Sequence, residues 1–151
     1  MSEMRELYQE VILDHGRKPR NFRALEDANR EGHGHNPLCG DKLVVRAKVK
    51  DGLVEDLAFD GAGCAISMAS ASLMTEALKG KPEAEARALF ERFHVMVTGD
   101  EEVTLEQLED LDKLAVFSGV RDYPLRVKCA TLSWHTLNAA LDQSDEKVVT
   151  E

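Results

Sequence analysis

The sequence predicts an α+β domain, and three observations carry that reading. The N-terminal segment repeats its apolar residues at helical spacing. The middle contains one clean strand alternation closed by a tight turn signal. The C-terminal half is a run of helical patterns rather than further strands. At 151 residues the chain has the length of a single domain with room for a core. That domain is placed at residues 1–142, with 143–151 as a polar, frayed tail.

Met4, Leu7, Tyr8, Val11 and His15 recur as one stripe of the first helix, which is expected to stop at Gly16 ahead of Pro19. Residues 17–38 read as loop, with room for a short edge strand near 30–35. From Lys42 to Lys50, Leu43, Val45, Ala47 and Val49 alternate with mostly cationic residues, so they share one strand face. Asp51-Gly52 is a two-residue hairpin signal. Leu53–Asp60 then returns as the partner strand, with Leu57 and Phe59 on one face and Glu55 breaking the pattern.

Cys64 opens a helix that runs to Lys79 and is closed by Gly80. Its small residues suit close approach by another element, and Ile66, Leu73, Met74 and Ala77 supply an apolar stripe. A further helix is expected from Pro82 to about Val97, with Ala86, Leu89, Phe90, Phe93 and Val97 inward, broken by Gly99. Thr104-x-x-Gln107 is a capping box opening a short acidic helix through Leu111. The last helix starts near Pro124 and carries Ala130, Trp134, Leu137 and Leu141 along one side.

The net charge of −9 argues against nucleic acid as a partner, which usually leaves a basic footprint. Lys42, Arg46, Lys48 and Lys50 form a local stripe, read as a solvated face or, failing that, a docking face for a protein. No apolar run approaches the roughly 18 residues that cross a bilayer, and the first residues lack a signal-peptide stretch. The three cysteines cannot all pair, so they are expected to be reduced thiols in a cytoplasmic protein.

Those cysteines pose the functional question. Cys39 and Asp41 flank Gly40 where the first strand of the hairpin begins. Cys64 follows the hairpin, at a helix N-terminus that favours a thiolate. Cys129 lies in the first turns of the last helix, after Arg126 and Lys128. Three thiols and one carboxylate make a full tetrahedral set for zinc. An isolated cysteine is more often a small buried hydrophobe, and there is no Cys-x-x-Cys pair. Spacing alone leaves both readings open. His33 and His35 are nearby alternative ligands or parts of an exposed Gly-rich loop, while His15, His94 and His135 read as packing or surface residues of helices.

Three segments together point to a family. Asn36-Pro37-Leu38-Cys39-Gly40-Asp41, Gly61-Ala62-Gly63-Cys64-Ala65-Ile66-Ser67 and Arg126-Val127-Lys128-Cys129-Ala130-Thr131-Leu132 resemble the IscU/NifU-like iron–sulfur cluster assembly family. Within it the chain is similar to the SufU branch. The scaffold branch carries Leu-Pro-Pro-Val-Lys and a His before the third Cys, whereas this chain has Tyr123-Pro124-Leu125-Arg126-Val127-Lys128. The stretch from Gly99 to Val120 also accommodates the inserted segment of that branch.

The resemblance implies a SufE/IscU/NifU-like fold, a small three-stranded antiparallel sheet packed by helices, with a metal site at one end. It implies zinc, one per chain, held by Cys39, Asp41, Cys64 and Cys129. It also implies a SufS-type cysteine desulfurase as partner, a pyridoxal phosphate enzyme that keeps its own cofactor. A persulfide acceptor and carrier is the expected activity, with Cys39 as the mobile acceptor, Arg126 steadying the persulfide, and a downstream Suf scaffold or apoproteins as recipients. The alternatives are a scaffold on which an iron–sulfur cluster is assembled and a purely structural zinc module.

Overall fold

The computed structural model describes residues 2–99 and 101–150, with side chains from Glu6 onward, so Met4 lies outside the described side chains. Helix α1 spans Ser2–Arg17 and is followed by strands β1 (Arg30–Asn36), β2 (Asp41–Lys50) and β3 (Leu53–Ala62). Helices α2 (Ala65–Leu78), α3 (Glu83–Thr98) and α4 (Leu105–Leu111) come next. A 3₁₀ segment (Asp112–Asp122), helix α5 (Pro124–Leu141) and strand β4 (Val148–Val149) complete the order. No helix among the described residues is long and apolar enough to cross a membrane.

The sheet has four strands in the order β3-β2-β1-β4, not the three that the resemblance implied. Strands β1, β2 and β3 are antiparallel, and β4 lies parallel beside β1 through Gly34–Val148 and His35–Val149. The fourth strand therefore comes from the polar tail that was expected to fray. Two residues are too few to show any hydrophobic period, so the sequence carries no signal for it.

The β2–β3 hairpin turns at Asp51 and Gly52, both with positive φ (54° and 76°), as a type I′ turn demands. Leu43, Val45, Ala47 and Val49 all face inward. Glu55 breaks the alternation because it is a bulge: Lys48 pairs with Asp56 but Val49 pairs with Val54. The extra residue returns Val54 to the core face, where it is fully buried.

β1 is the strand allowed for near 30–35, extended to Asn36, and its pattern is faint in the sequence because its inward residues are Gly32, Gly34 and Asn36. The absent side chains make room for α5. A Cβ on Gly32 would collide with the Thr136 carbonyl oxygen, and one on Gly34 with the Thr136 hydroxyl. The helix backbone thus rests directly on the strand, which brings the first turn of α5 to the β1–β2 loop.

The core lies between the sheet and the helices. Trp134 of α5 is fully buried, stacks on Phe93 of α3 at 4.7 Å, and donates from its indole N–H to the Ser70 hydroxyl of α2 at 3.2 Å. Ser70 in turn donates to the Ala130 carbonyl, so α2 and α5 approach as closely as the small residues of α2 allow. The 3₁₀ segment buries Leu114, Val116, Phe117 and Val120, with Phe117 edge-on to Phe93. On α1 the buried side is rotated from the expected stripe. Tyr8, Val11 and Ile12 pack against the core and His15 is buried, while Leu7 stays 54% exposed.

Candidate metal centre

Asn36 and Asp41 are register partners at the ends of β1 and β2, so residues 37–40 form a four-residue loop. The Asn36 side-chain oxygen accepts the Leu38 backbone N–H at 3.2 Å, which starts the turn. Gly40 ends it at φ +74°, a conformation glycine adopts without steric cost. Cys39 is therefore carried half-buried on the loop, while Asp41 enters the strand with no exposed surface.

Cys64 caps α2, its sulfur accepting the Ser67 backbone N–H at 3.5 Å. Its own N–H donates to Asp41 Oδ1 at 2.8 Å, which locks the two segments together. Gly63 is what allows this contact, since a Cβ there would stand 2.7 Å from Asp41 Oδ1. Cys129, buried in the second turn of α5, places its sulfur 3.0 Å from that of Cys39 and accepts from Asn36 Nδ2 at 3.6 Å.

The Cys39 and Cys129 sulfurs and an Asp41 carboxylate oxygen all lie within 4.8 Å of one another. Bonds of about 2.0–2.3 Å in a tetrahedron require ligand atoms about 3.3–3.8 Å apart, so small side-chain adjustments close such a cage. Cys64 stands at its edge, its sulfur 4.0 Å from Asp41 Oδ2. The structure thus brings three of the four predicted groups into one mutual cluster and sets the fourth against it.

The electrostatics separate the thiols. The adjacent Cys129 thiol, followed by the Ser67 and Ile66 amides, pulls Cys64 down to about 6 against burial and the Asp41 charge. The neighbouring Cys64 thiol, then burial and the Cys39 thiol, push Cys129 well above the ordinary thiol value. Asp41 is a buried carboxylate that pairs with no cationic side chain among the described residues. A buried carboxylate beside three thiols is a donor set that suits a thiophilic divalent cation such as zinc.

The other predicted residues lie elsewhere. His33 and His35 are not in a loop but on β1, where they alternate outward from the buried Gly32, Gly34 and Asn36. Neither belongs to the cluster, and His33 faces Glu31 at 3.6 Å. His15 is buried against the Ser72 hydroxyl at 2.7 Å, while His94 and His135 pack edge-on against Phe90. The middle of the cationic stripe is neutralised: Arg46 pairs with Glu31 and Asp60, and Lys48 with Asp27 and Glu55, while Lys42 and Lys50 are exposed.

Arg126 is exposed on the first turn of α5 and lines a cavity of about 450 Å³ with Tyr8, Ile12, Ile66 and Val120. Its guanidinium makes no hydrogen bond or ion pair among the described residues. Sequence reasoning missed Asn36 and Gly63 as parts of the site. Both stand inside the family motifs, and the signals were a polar residue opposite Asp41 and a glycine directly before a candidate ligand.

The model of the NifU-like N-terminal domain matches residues 7–130. The zinc-dependent sulfurtransferase SufU of Bacillus subtilis is 40% identical over 139 residues, 92% of each chain. The iron–sulfur cluster assembly scaffold protein IscU of Streptococcus pyogenes is 39% identical over 144 residues, 95% of this chain and 88% of that one. Among solved structures, a putative iron–sulfur cluster assembly scaffold protein for the SUF system from Fervidobacterium islandicum superposes with a TM-score of 0.80 at 33% identity, covering 90% of this chain and 97% of that one.

Proposed function

Since the chain belongs to the NifU-like N-terminal domain family, we propose that it serves iron–sulfur cluster assembly as a zinc-dependent sulfur carrier. It takes sulfur, as a persulfide on Cys39, from a SufS-type cysteine desulfurase and passes it to a downstream Suf scaffold or to apoproteins. The observation that carries this reading is the contrast among the thiols. Cys39 is half-buried on a four-residue loop beside the unhindered Gly40, while Cys129 is fully buried in α5 and Cys64 caps α2.

Cys39, Asp41, Cys64 and Cys129 would hold zinc, which when bound keeps coordinated thiols ionised at neutral pH. In the transfer, the Cys39 thiolate attacks the outer sulfur of the partner's persulfide. A new S–S bond forms to Cys39 as the partner's own S–S bond breaks. The partner departs as a thiolate, and the hydrogen stays on the transferred sulfur. The loop lets Cys39 swing outward for this attack, and the exposed Arg126 offers a positive charge to the product persulfide.

Replacing Cys39 with serine and measuring desulfurase turnover with cysteine tests the assignment, with zinc content checked in parallel. Stimulation of the desulfurase should be lost. Stimulation that survives in the variant contradicts the role of Cys39. A second reading, a cluster scaffold, is favoured by the nearly equal similarity to the streptococcal scaffold protein, since three thiolates and a carboxylate suit a cluster. Zinc at one per chain without cluster reconstitution supports the carrier, and iron bound with sulfide supports the scaffold.

A further inference from the structure

We propose that Asn36 is the positioning residue that decides which thiol of the site is free to move, an inference that rests on the reading of Cys39 as the sulfur acceptor. Asn36 has no exposed surface, and both ends of its side chain are used. Its oxygen accepts the Leu38 N–H at 3.2 Å, so the amide cannot be flipped without losing that bond. Its Nδ2 is thereby aimed at Cys129, 3.6 Å from the sulfur.

One side chain thus acts on both mobile and fixed thiols. Through the oxygen it shapes the loop that carries Cys39. Through the N–H it donates to the sulfur of Cys129, which makes that sulfur a weaker nucleophile and a stationary ligand. No amide donor reaches Cys39 among the described residues, where its sulfur meets only the Cys129 thiol. The asymmetry leaves Cys39 as the thiol that departs and Cys129 as the one that stays.

The test uses Asn36→Asp, which keeps the turn acceptor, nearly preserves shape and removes the N–H donor. Asn36→Ser is its companion, because a hydroxyl still accepts from Leu38 but is too short to reach Cys129. Zinc affinity should fall about 10–100-fold, the usual cost of losing an outer-shell partner. In the cobalt-substituted protein the sulfur-to-metal absorption band should move to longer wavelength as the Cys129 sulfur becomes a stronger donor. After reaction with a persulfide donor, part of the bound sulfur should shift from Cys39 to Cys129. Asn36→Ser decides the matter if Asn36→Asp fails to fold.

A folded, metal-loaded variant with wild-type affinity, band position and sulfur distribution overturns the proposal. The two readings fail separately. Wild-type protein that never carries sulfur on Cys39 removes the acceptor assignment, whereas the affinity and band shift judge Asn36 on their own.

Discussion

Replacing Gly63 with alanine should weaken metal binding while sparing the core. The added Cβ would stand 2.7 Å from Asp41 Oδ1, 3.1 Å from its carboxyl carbon and 3.3 Å from its Cβ. Asp41 has nowhere to retreat: it is fully buried, its backbone is held in register with Asn36, and Oδ1 is clamped by the Cys64 N–H at 2.8 Å. Forcing a methyl into such a space costs about 1–3 kcal/mol. Charged to the metal-bound geometry, that is about a 5- to 150-fold loss of zinc affinity, at tenfold per 1.4 kcal/mol. Competition against a chromophoric zinc chelator measures it. Gly119→Ala is the control, because its Cβ would meet nothing within 4 Å and its affinity should not change. A Gly63→Ala protein that binds zinc as tightly as wild type shows that Asp41 is not held where this reasoning needs it.

Other perturbations test the scaffold around the site. Trp134→Ala should cost about 3–5 kcal/mol of stability in denaturant titration, since it empties a fully buried stack on Phe93 and leaves the Ser70 hydroxyl without its indole partner. Gly34→Ala should destabilise by at least about 1–3 kcal/mol and disturb the site as well, because the new methyl lifts α5 off β1 at Thr136. Burial, then Arg20, holds His15 below its ordinary pKa of 6.5, against the opposing Glu76 and Asp14 charges and alongside Lys113. The unfolded chain therefore takes up that proton first as pH falls. The His15 contribution is complete above about pH 6.5 and declines below it. Urea midpoints of wild type and His15→Gln should diverge least in acid, and a gap that widens below about pH 6 contradicts the sign. His135, also depressed by burial, adds a slope of the same direction.

Much of the fold was legible because it was built from local rules. The Asp51-Gly52 turn, the Thr104–Gln107 capping box and Pro124 at the head of α5 each mark a boundary that the structure reproduces. What was faint or missed had no such signal. β1, allowed for only as a short strand near 30–35, replaces inward side chains with Gly32 and Gly34, so its hydrophobic face is supplied by α5 rather than by itself. The 3₁₀ segment hides Leu114, Phe117 and Val120 in a region otherwise read as an insertion. The thiols and Asp41 were candidates from residue type and motif, while the parts of Asn36 and Gly63 needed the distances. Residue chemistry names candidates for first contact with a metal; their supporting neighbours emerge only when distant strands and helices meet.

The most direct test is to locate the sulfur itself. Zinc-loaded protein is incubated with a cysteine desulfurase and cysteine, the free thiols are blocked, and each cysteine-containing peptide is analysed by mass spectrometry. The extra sulfur should be found on Cys39, with Cys64 and Cys129 unmodified. Sulfur on Cys64 or Cys129 instead, or on none of the three while the desulfurase turns over, would contradict a carrier that works through Cys39.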